Sequence, residues 1–247
     1  NFTKKKGLDF ISTPYDVESA KFLSKIGVKI FKTASADLSD FFLHKYLSKI
    51  NKTVIISTGM SNFKDINNCL NLYPKKNQKK IVLLHCVSNY PCKFDSLNLN
   101  CLELLEKKFK LKVGFSDHTT DYLAAIVAVS KNAQIIEKHF TLNKNLKGPD
   151  HKLSLSPNEL KQMIKKIRKV EKILGDGKKH VRKSELPNIH IVRKSIVAKK
   201  KIKVGDKFTK YNITTKRPGF GINPMNWKKI IGKKSKFSYE KDELINK

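Results

Sequence analysis

Short apolar runs alternating with stretches of helical periodicity constrain this chain more than any other feature. The runs fall at residues 10–11, 28–31, 53–56, 81–84, 113–115 and 135–136. Each is too short and too uniformly apolar for a half-exposed strand, and suits a strand buried on both faces of a parallel sheet. Between them the spacing predicts helices over 17–25, 38–47, 63–72, 102–109 and 122–130. A longer helix over Pro157–Leu174 follows, with Ser156 as N-cap, Pro157 at its first position and Glu159 completing a capping box. Gly175 and Gly177 end it. Alternation of this kind specifies an α/β protein, and six strand–helix units are visible where a (β/α) TIM-type barrel needs eight.

Each run ends in residues that can hold oxygen or a metal. In order these are Ser12 and Thr13, Lys32 and Ser35, and Ser57 and Thr58 ahead of Gly59. Then come His85 and Ser88 with Tyr90 beyond, Ser116, Asp117 and His118, and finally Glu137 and His139. A barrel builds its active site from such strand ends. Several hydroxyls around one lysine suit a phosphate or carboxylate. His118 and His139 occupy equivalent positions in consecutive units, with Asp150 close behind, which points to a divalent ion between two imidazoles. A single histidine is more often a satisfied core residue, and a single serine more often a cap. The recurrence at equivalent positions carries the site reading.

The chain carries a formal net charge of +31, which raises the question of nucleic acid. Nearly all of that charge is lysine; the arginines are Arg168, Arg182, Arg193 and Arg217. Arginine is the better bidentate reader of phosphate and guanine, and no basic stretch is interleaved with stacking aromatics. The expectation is a solvated lysine surface that draws in a small anionic substrate, with no nucleic-acid partner. Runs such as Ile81-Val-Leu-Leu84 are too short to span a bilayer, so no membrane partner is expected. Cys69, Cys86, Cys92 and Cys101 lack zinc-like pairing and no signal-peptide pattern is present, which fits a reduced, cytoplasmic setting. The first residue is Asn1 rather than methionine, which fits a truncated chain.

Past Gly177 the character changes. Three segments are expected: a barrel domain over 1–177, a polar linker over 178–191 marked by Pro187, and a small β-rich module over 192–247. Short β runs at 195–198, 201–204 and 206–209 surround a tight turn at Val204-Gly205-Asp206. Lys216-Arg217-Pro218-Gly219 then leads into a Gly/Pro loop.

These residues together resemble the bacterial sialic acid synthases, comprising N-acetylneuraminate synthases and their legionaminate relatives. The carriers are Phe10-Ile-Ser-Thr-Pro14, Phe31-Lys-Thr-Ala-Ser35, Ile56-Ser-Thr-Gly-Met60 and Leu84-His-Cys-Val-Ser88 with Tyr90-Pro91. Further carriers are Gly114-Phe-Ser-Asp-His-Thr119, Glu137-Lys-His-Phe-Thr141, Gly148-Pro-Asp150 and Lys216-Arg-Pro-Gly219. The small module resembles the antifreeze-like (SAF) domain of that family, which implies a domain-swapped homodimer. The resemblance matches the visible strands to barrel strands three to eight, so the first two β/α units are absent, along with the glutamate and lysine they supply. This piece alone is then expected to be inactive. Ser88 stands where some relatives have asparagine.

The resemblance also implies a reaction. Phosphoenolpyruvate would condense with an N-acetylmannosamine-type sugar to give a sialic acid and phosphate, or with a 2,4-diacetamido hexose to give the N,N'-diacetyllegionaminate skeleton. His118 and His139 would hold Mn²⁺ or Mg²⁺. Thr13, Lys32, Ser35, Ser57, Ser88 and Ser116 would cradle phosphoenolpyruvate. Tyr90 and Asp150 would contact the sugar, and Arg217 would reach it from the neighbouring subunit. A basic polyanion-binding protein built on a non-catalytic barrel is the competing reading from a different class.

Overall fold

The computed structural model describes residues 2–246. They divide between Asp176 and Gly177 into two compact units. The first unit runs α1 (Phe2–Lys5), α2 (Val17–Lys25), β1 (Ile30–Thr33), α3 (Phe41–Leu47), β2 (Thr53–Ser57), α4 (Phe63–Leu70) and α5 (Lys75–Gln78). It continues through β3 (Ile81–Cys86), α6 (Cys101–Phe109), β4 (Lys112–Asp117), α7 (Leu123–Ser130), β5 (Ile136–Lys138) and α8 (Pro157–Leu174). The strands form one sheet in chain order, β1-β2-β3-β4-β5, and every neighbouring pair is parallel. Parallel neighbours cannot be joined by a tight turn, so each connection crosses over through helix.

The period-2 alternation of strands sorts the side chains onto two faces. Phe31, Val54, Ile56, Ile81, Leu83, Val113 and Phe115 pack into the main core with the buried residues of the helices, such as Leu43, Leu70, Leu102 and Ala128. The intervening residues Ile55, Val82 and Leu84 form a smaller cluster with Ile30 and Ile135. Both faces of the sheet are therefore apolar, which is why its strands read as continuous runs rather than as alternation. A further cluster of Ala125, Leu155 and Met163 packs with Tyr122, Ile136 and Leu160, and joins α7 to α8.

The structure differs from the expected elements in identifiable ways. The run at 10–11 forms no strand: Phe10 is 50% and Ile11 41% exposed, and neither joins a ladder. Two apolar residues without a paired neighbour lack the backbone hydrogen bonds that make a strand. β1 begins at Ile30, two residues later than expected, because its ladder to β2 starts at Ile30↔Thr53. The helix expected over 38–47 is broken into a 3-10 turn (Ser35–Ser39) and α3. Asp40 causes the break, its carboxylate accepting from the Leu43 N–H at 3.0 Å as the cap of α3. The remaining helices start and stop within two residues of expectation.

α8 matches its sequence signature. Ser156 Oγ accepts from the Glu159 N–H and the Glu159 carboxylate accepts from the Ser156 N–H at 2.8 Å, with Lys144 Nζ 2.7 Å from the other carboxylate oxygen. The Lys144 contact, followed by the Ser156 N–H, holds the Glu159 carboxyl at about 2, below its ordinary 4.5. A depressed folded value stabilises the native state fully above the ordinary value, and that contribution fades as pH falls through about 2. Glu159→Gln is expected to lower stability by about 1 kcal/mol at neutral pH. The deficit relative to the parent should shrink between pH 4.5 and about 2. Urea titrations at several pH values check this, and a pH-independent deficit overturns it.

The second unit contains α9 (Leu186–Val192), β6 (Ser195–Ala198), β7 (Ile213–Lys216) and α10 (Trp227–Ile230). β6 and β7 pair antiparallel, Ser195 opposite Lys216 and Ala198 opposite Ile213. Its core is Ile196, Ala198, Ile202, Phe208, Ile213, Ile222, Tyr239 and Ile245. The turn at 204–206 forms as expected, with Gly205 at φ +89 and the Asp206 carboxylate accepting from Lys203 N at 2.8 Å. The runs at 201–204 and 206–209 each contribute a single bridge, Ile202↔Tyr239 and Lys207↔Lys234, rather than a strand. The segment expected to be linker contains α9, with Pro187 in its first turn, where a missing N–H costs nothing. Among the described residues no helix is long and apolar enough to cross a membrane, and all four cysteines are free thiols.

Candidate functional site

The alternation that builds the two faces also decides which strand-end residues can meet. The smaller apolar cluster lies on the face of Ile30, Ile55, Leu84 and Gly114, and two residues further along each strand stand Lys32, Ser57, Cys86 and Ser116. All four line one cleft of ≈ 530 Å³, together with Thr13, Ser35, Ser88, Tyr90, His118 and His139. Nine of the expected site residues of the first unit are thus brought together. Asp150 does not line the cleft, but its Oδ2 lies 3.7 Å from His139 Nδ1. Two strand-end polar residues, His85 and Asp117, fall on the opposite face. His85 Nε2 donates to the Leu97 carbonyl at 2.7 Å and its ring stacks on Phe115, while Asp117 pairs with Lys138 at 3.0 Å.

One side of the cleft is built for an anion. Lys32 Nζ lies 3.3 Å from Glu137 Oε1, with its side chain 16% exposed. Ser35 Oγ accepts from the Gly59 N–H at 3.0 Å and contacts Cys86 Sγ at 3.1 Å. Ser57 Oγ is buried without a hydrogen-bond partner. A buried hydroxyl facing a cleft in that state is a group waiting for a ligand or water. The close spacing depends on Gly59. A Cβ built there would lie 2.4 Å from Ser88 Oγ and 2.8 Å from Ser35 Oγ. Thr58 plays a structural part, its hydroxyl donating to the Leu84 carbonyl at 2.9 Å.

The other side is imidazole and phenol. The rings of His118 and His139 lie 5.6 Å apart at 65°, and Tyr90 packs against His118 at 4.2 Å, tilted by 36°, and meets His139 edge-on at 5.7 Å. His118 Nδ1 lies 2.8 Å from the Val87 carbonyl, which can only accept, so Nδ1 carries the proton. The lone pair is then on Nε2, 3.3 Å from Ser116 Oγ on the cleft side. Burial pushes the His118 pKa below its ordinary value, against the opposing pull of the Val87 carbonyl. A neutral imidazole with its outer nitrogen anchored to a carbonyl is the form in which histidine binds metal. Among the described residues no group of three or more His, Cys, Asp or Glu is arranged to hold an ion. Two imidazoles therefore fit a hard divalent cation only if water and substrate oxygens complete its shell.

Sequence reasoning assigned no role to Tyr15, Cys86 or Lys138, which also line the cleft, as does the strand-end Glu137. Glu137 was legible as a β5 residue two positions before His139. Cys86 was masked by its apolar neighbours. In the second unit Arg217 follows β7, exposed, with Nε donating to the Val192 carbonyl at 2.8 Å.

Comparison with known proteins places this geometry among relatives. Residues 1–179 match the model described as the NeuB family, and residues 193–247 match the SAF domain. The chain is 47% identical to an N,N'-diacetyllegionaminic acid synthase of Campylobacter jejuni over 98% of its own length and 73% of the relative's. It is 36% identical to a protein of the same name from Legionella pneumophila, covering 92% of this chain and 65% of that one. Among solved structures, an N-acetylneuraminic acid (sialic acid) synthetase from Leptospira borgpetersenii superposes with a TM-score of 0.72 at 35% identity. That match covers 75% of this chain and 65% of the other.

Proposed function

The chain belongs to the NeuB family, and on that premise we propose that it condenses phosphoenolpyruvate with an N-acetylated amino hexose. The observation that carries the reading is a single strand-end cleft with Lys32 and a set of hydroxyls on one side and two imidazoles on the other. The acceptor we assign first is a 2,4-diacetamido hexose, supported by the 47% and 36% identical relatives named for the diacetyllegionaminic product. N-acetylmannosamine is the second acceptor, supported by the sialic acid synthetase likeness. The parallel sheet is then a section of a (β/α) barrel whose first two units lie outside this chain.

In this reading the methylene carbon of phosphoenolpyruvate bonds to the acceptor aldehyde carbon, water adds at the enol carbon, and phosphate leaves by C–O cleavage. Lys32 balances the anion, while Thr13, Ser35, Ser57, Ser88 and Ser116 donate to its oxygens. The unpaired Ser57 hydroxyl gains a partner on binding. Tyr90 and Asp150 orient the sugar beside the imidazoles. A divalent ion such as Mn²⁺ or Mg²⁺ at His118 and His139 supplies Lewis acidity toward the aldehyde. Arg217 completes the acceptor site from a second subunit in a swapped homodimer.

The test is phosphate release, with mass-spectrometric detection of the nine-carbon acid, from full-length protein given phosphoenolpyruvate and each acceptor in turn. Turnover with either acceptor supports the reaction, and the larger kcat/KM names the sugar; no product from either overturns it. Lys32→Met is expected to weaken phosphoenolpyruvate binding ten- to a hundredfold, about 1.5–3 kcal/mol. Unchanged affinity by calorimetry places Lys32 outside the anion site, and Lys169→Met serves as the surface control.

A further inference from the structure

At the ends of the two strands that lead into the imidazoles lies a buried charge pair that the proposed chemistry does not use. Asp117 is the last residue of β4 and Lys138 the last of β5, and they are register partners across the parallel ladder. Lys138 Nζ lies 3.0 Å from Asp117 Oδ2, and the two side chains are 2% and 0% exposed. A single residue, Thr119, is bonded to both. Asp117 Oδ1 accepts from the Thr119 N–H at 2.9 Å and from its hydroxyl at 2.8 Å. Lys138 donates to the Thr119 carbonyl.

The sequence positions give this arrangement its meaning. His118 sits between Asp117 and Thr119, and His139 follows Lys138 directly. The pair and its threonine therefore clamp the chain on both sides of one imidazole and immediately ahead of the other. Asp117 Oδ2 meets the ammonium ion as an electrostatic contact outside hydrogen-bond geometry. A buried pair of this kind contributes little net stability, because desolvation offsets most of its attraction. What it does supply is a fixed separation between two adjacent strand ends. The His118 ring is then oriented through Nδ1 by the Val87 carbonyl, and the His118 carbonyl accepts from Cys92 N at 2.8 Å.

We propose that Asp117, Lys138 and Thr119 are positioning residues that set the distance and angle between His118 and His139 as a cation-binding pair. This rests on the reading of those histidines as the metal-holding groups. Supporting groups of metal ligands, when removed, typically cost ten- to a hundredfold in metal affinity without touching the ion.

The experiment titrates full-length protein with Mn²⁺ alone, followed by electron paramagnetic resonance, alongside thermal melts. The variants are Asp117→Asn/Lys138→Met, which removes both charges together, and His118→Ala and His139→Ala. The double variant is expected to remain folded at the titration temperature and to bind Mn²⁺ about ten- to a hundredfold more weakly, with phosphoenolpyruvate affinity unchanged. Wild-type Mn²⁺ affinity in the folded double variant, together with loss in the histidine variants, overturns the positioning role alone. Wild-type affinity in both histidine variants overturns the metal reading and this inference with it. If the double variant does not fold, Thr119→Val decides. It removes only the hydroxyl brace, and undiminished Mn²⁺ affinity in that variant overturns the proposal.

Discussion

Alanine at Gly114 is expected to cost the first unit more stability than any other single methyl addition in the sheet. A Cβ at that position would lie 2.6 Å from the Ile135 carbonyl oxygen and 2.6 Å from Leu84 Cδ2. The leucine can rotate, but the carbonyl is held in place as the acceptor of the Phe115 N–H at 2.8 Å. β4 and β5 must therefore separate or twist, and β5 carries Glu137 and leads directly into His139. Overpacking commonly costs about 1–3 kcal/mol, and a clash with ladder backbone belongs at or above the top of that range. Equilibrium urea unfolding of Gly114→Ala against Gly59→Ala separates the two kinds of glycine. The second clashes mainly with the hydroxyls of Ser88 and Ser35, which can turn away, so it should impair anion binding more than stability. A Gly114→Ala protein as stable as its parent would show that β5 can move without loss.

His118→Ala and His139→Ala are each expected to reduce kcat/KM of the full-length enzyme at least about a hundredfold, or about 3 kcal/mol of lost barrier lowering. Phosphoenolpyruvate binding should survive in both, since its proposed contacts lie on the Lys32 side of the cleft. His139 gives the cleaner variant. It is partly exposed, whereas His118 is 5% exposed and its removal also vacates packing against Tyr90. Activity retained in both variants at ordinary metal concentrations would remove the metal assignment.

The alternation of apolar runs with helical periodicity was sufficient to specify a parallel α/β sheet, because strands buried on both faces leave an uninterrupted apolar signature. The capping box of α8 was equally legible, since its bonds join residues only three apart. The strand expected at 10–11 failed for the complementary reason. Two apolar residues specify no ladder without a neighbour, and neighbours are a property of the fold. Pro187 was misread because the same residue marks either a linker or a first helical turn.

The site divided along the same line. Sequence alone placed a polar residue at every strand end, and the resemblance supplied the roles. Sequence did not separate His118 from His85, or Ser116 from Asp117, because adjacent strand residues carry the same local signals. Tertiary structure decided by parity. Residues in step with Ile30, Ile55, Leu84 and Gly114 enter the cleft, and those out of step pass into the helix layer. The Asp117–Lys138 pair could not be seen from the chain, since 21 positions separate the two in sequence and only the β4–β5 register makes them neighbours. Local rules thus determined which segments become strands and helices and what chemistry their ends carry. The pairing of distant strands, which depends on long-range hydrogen bonding and packing, determined which of those ends face one another.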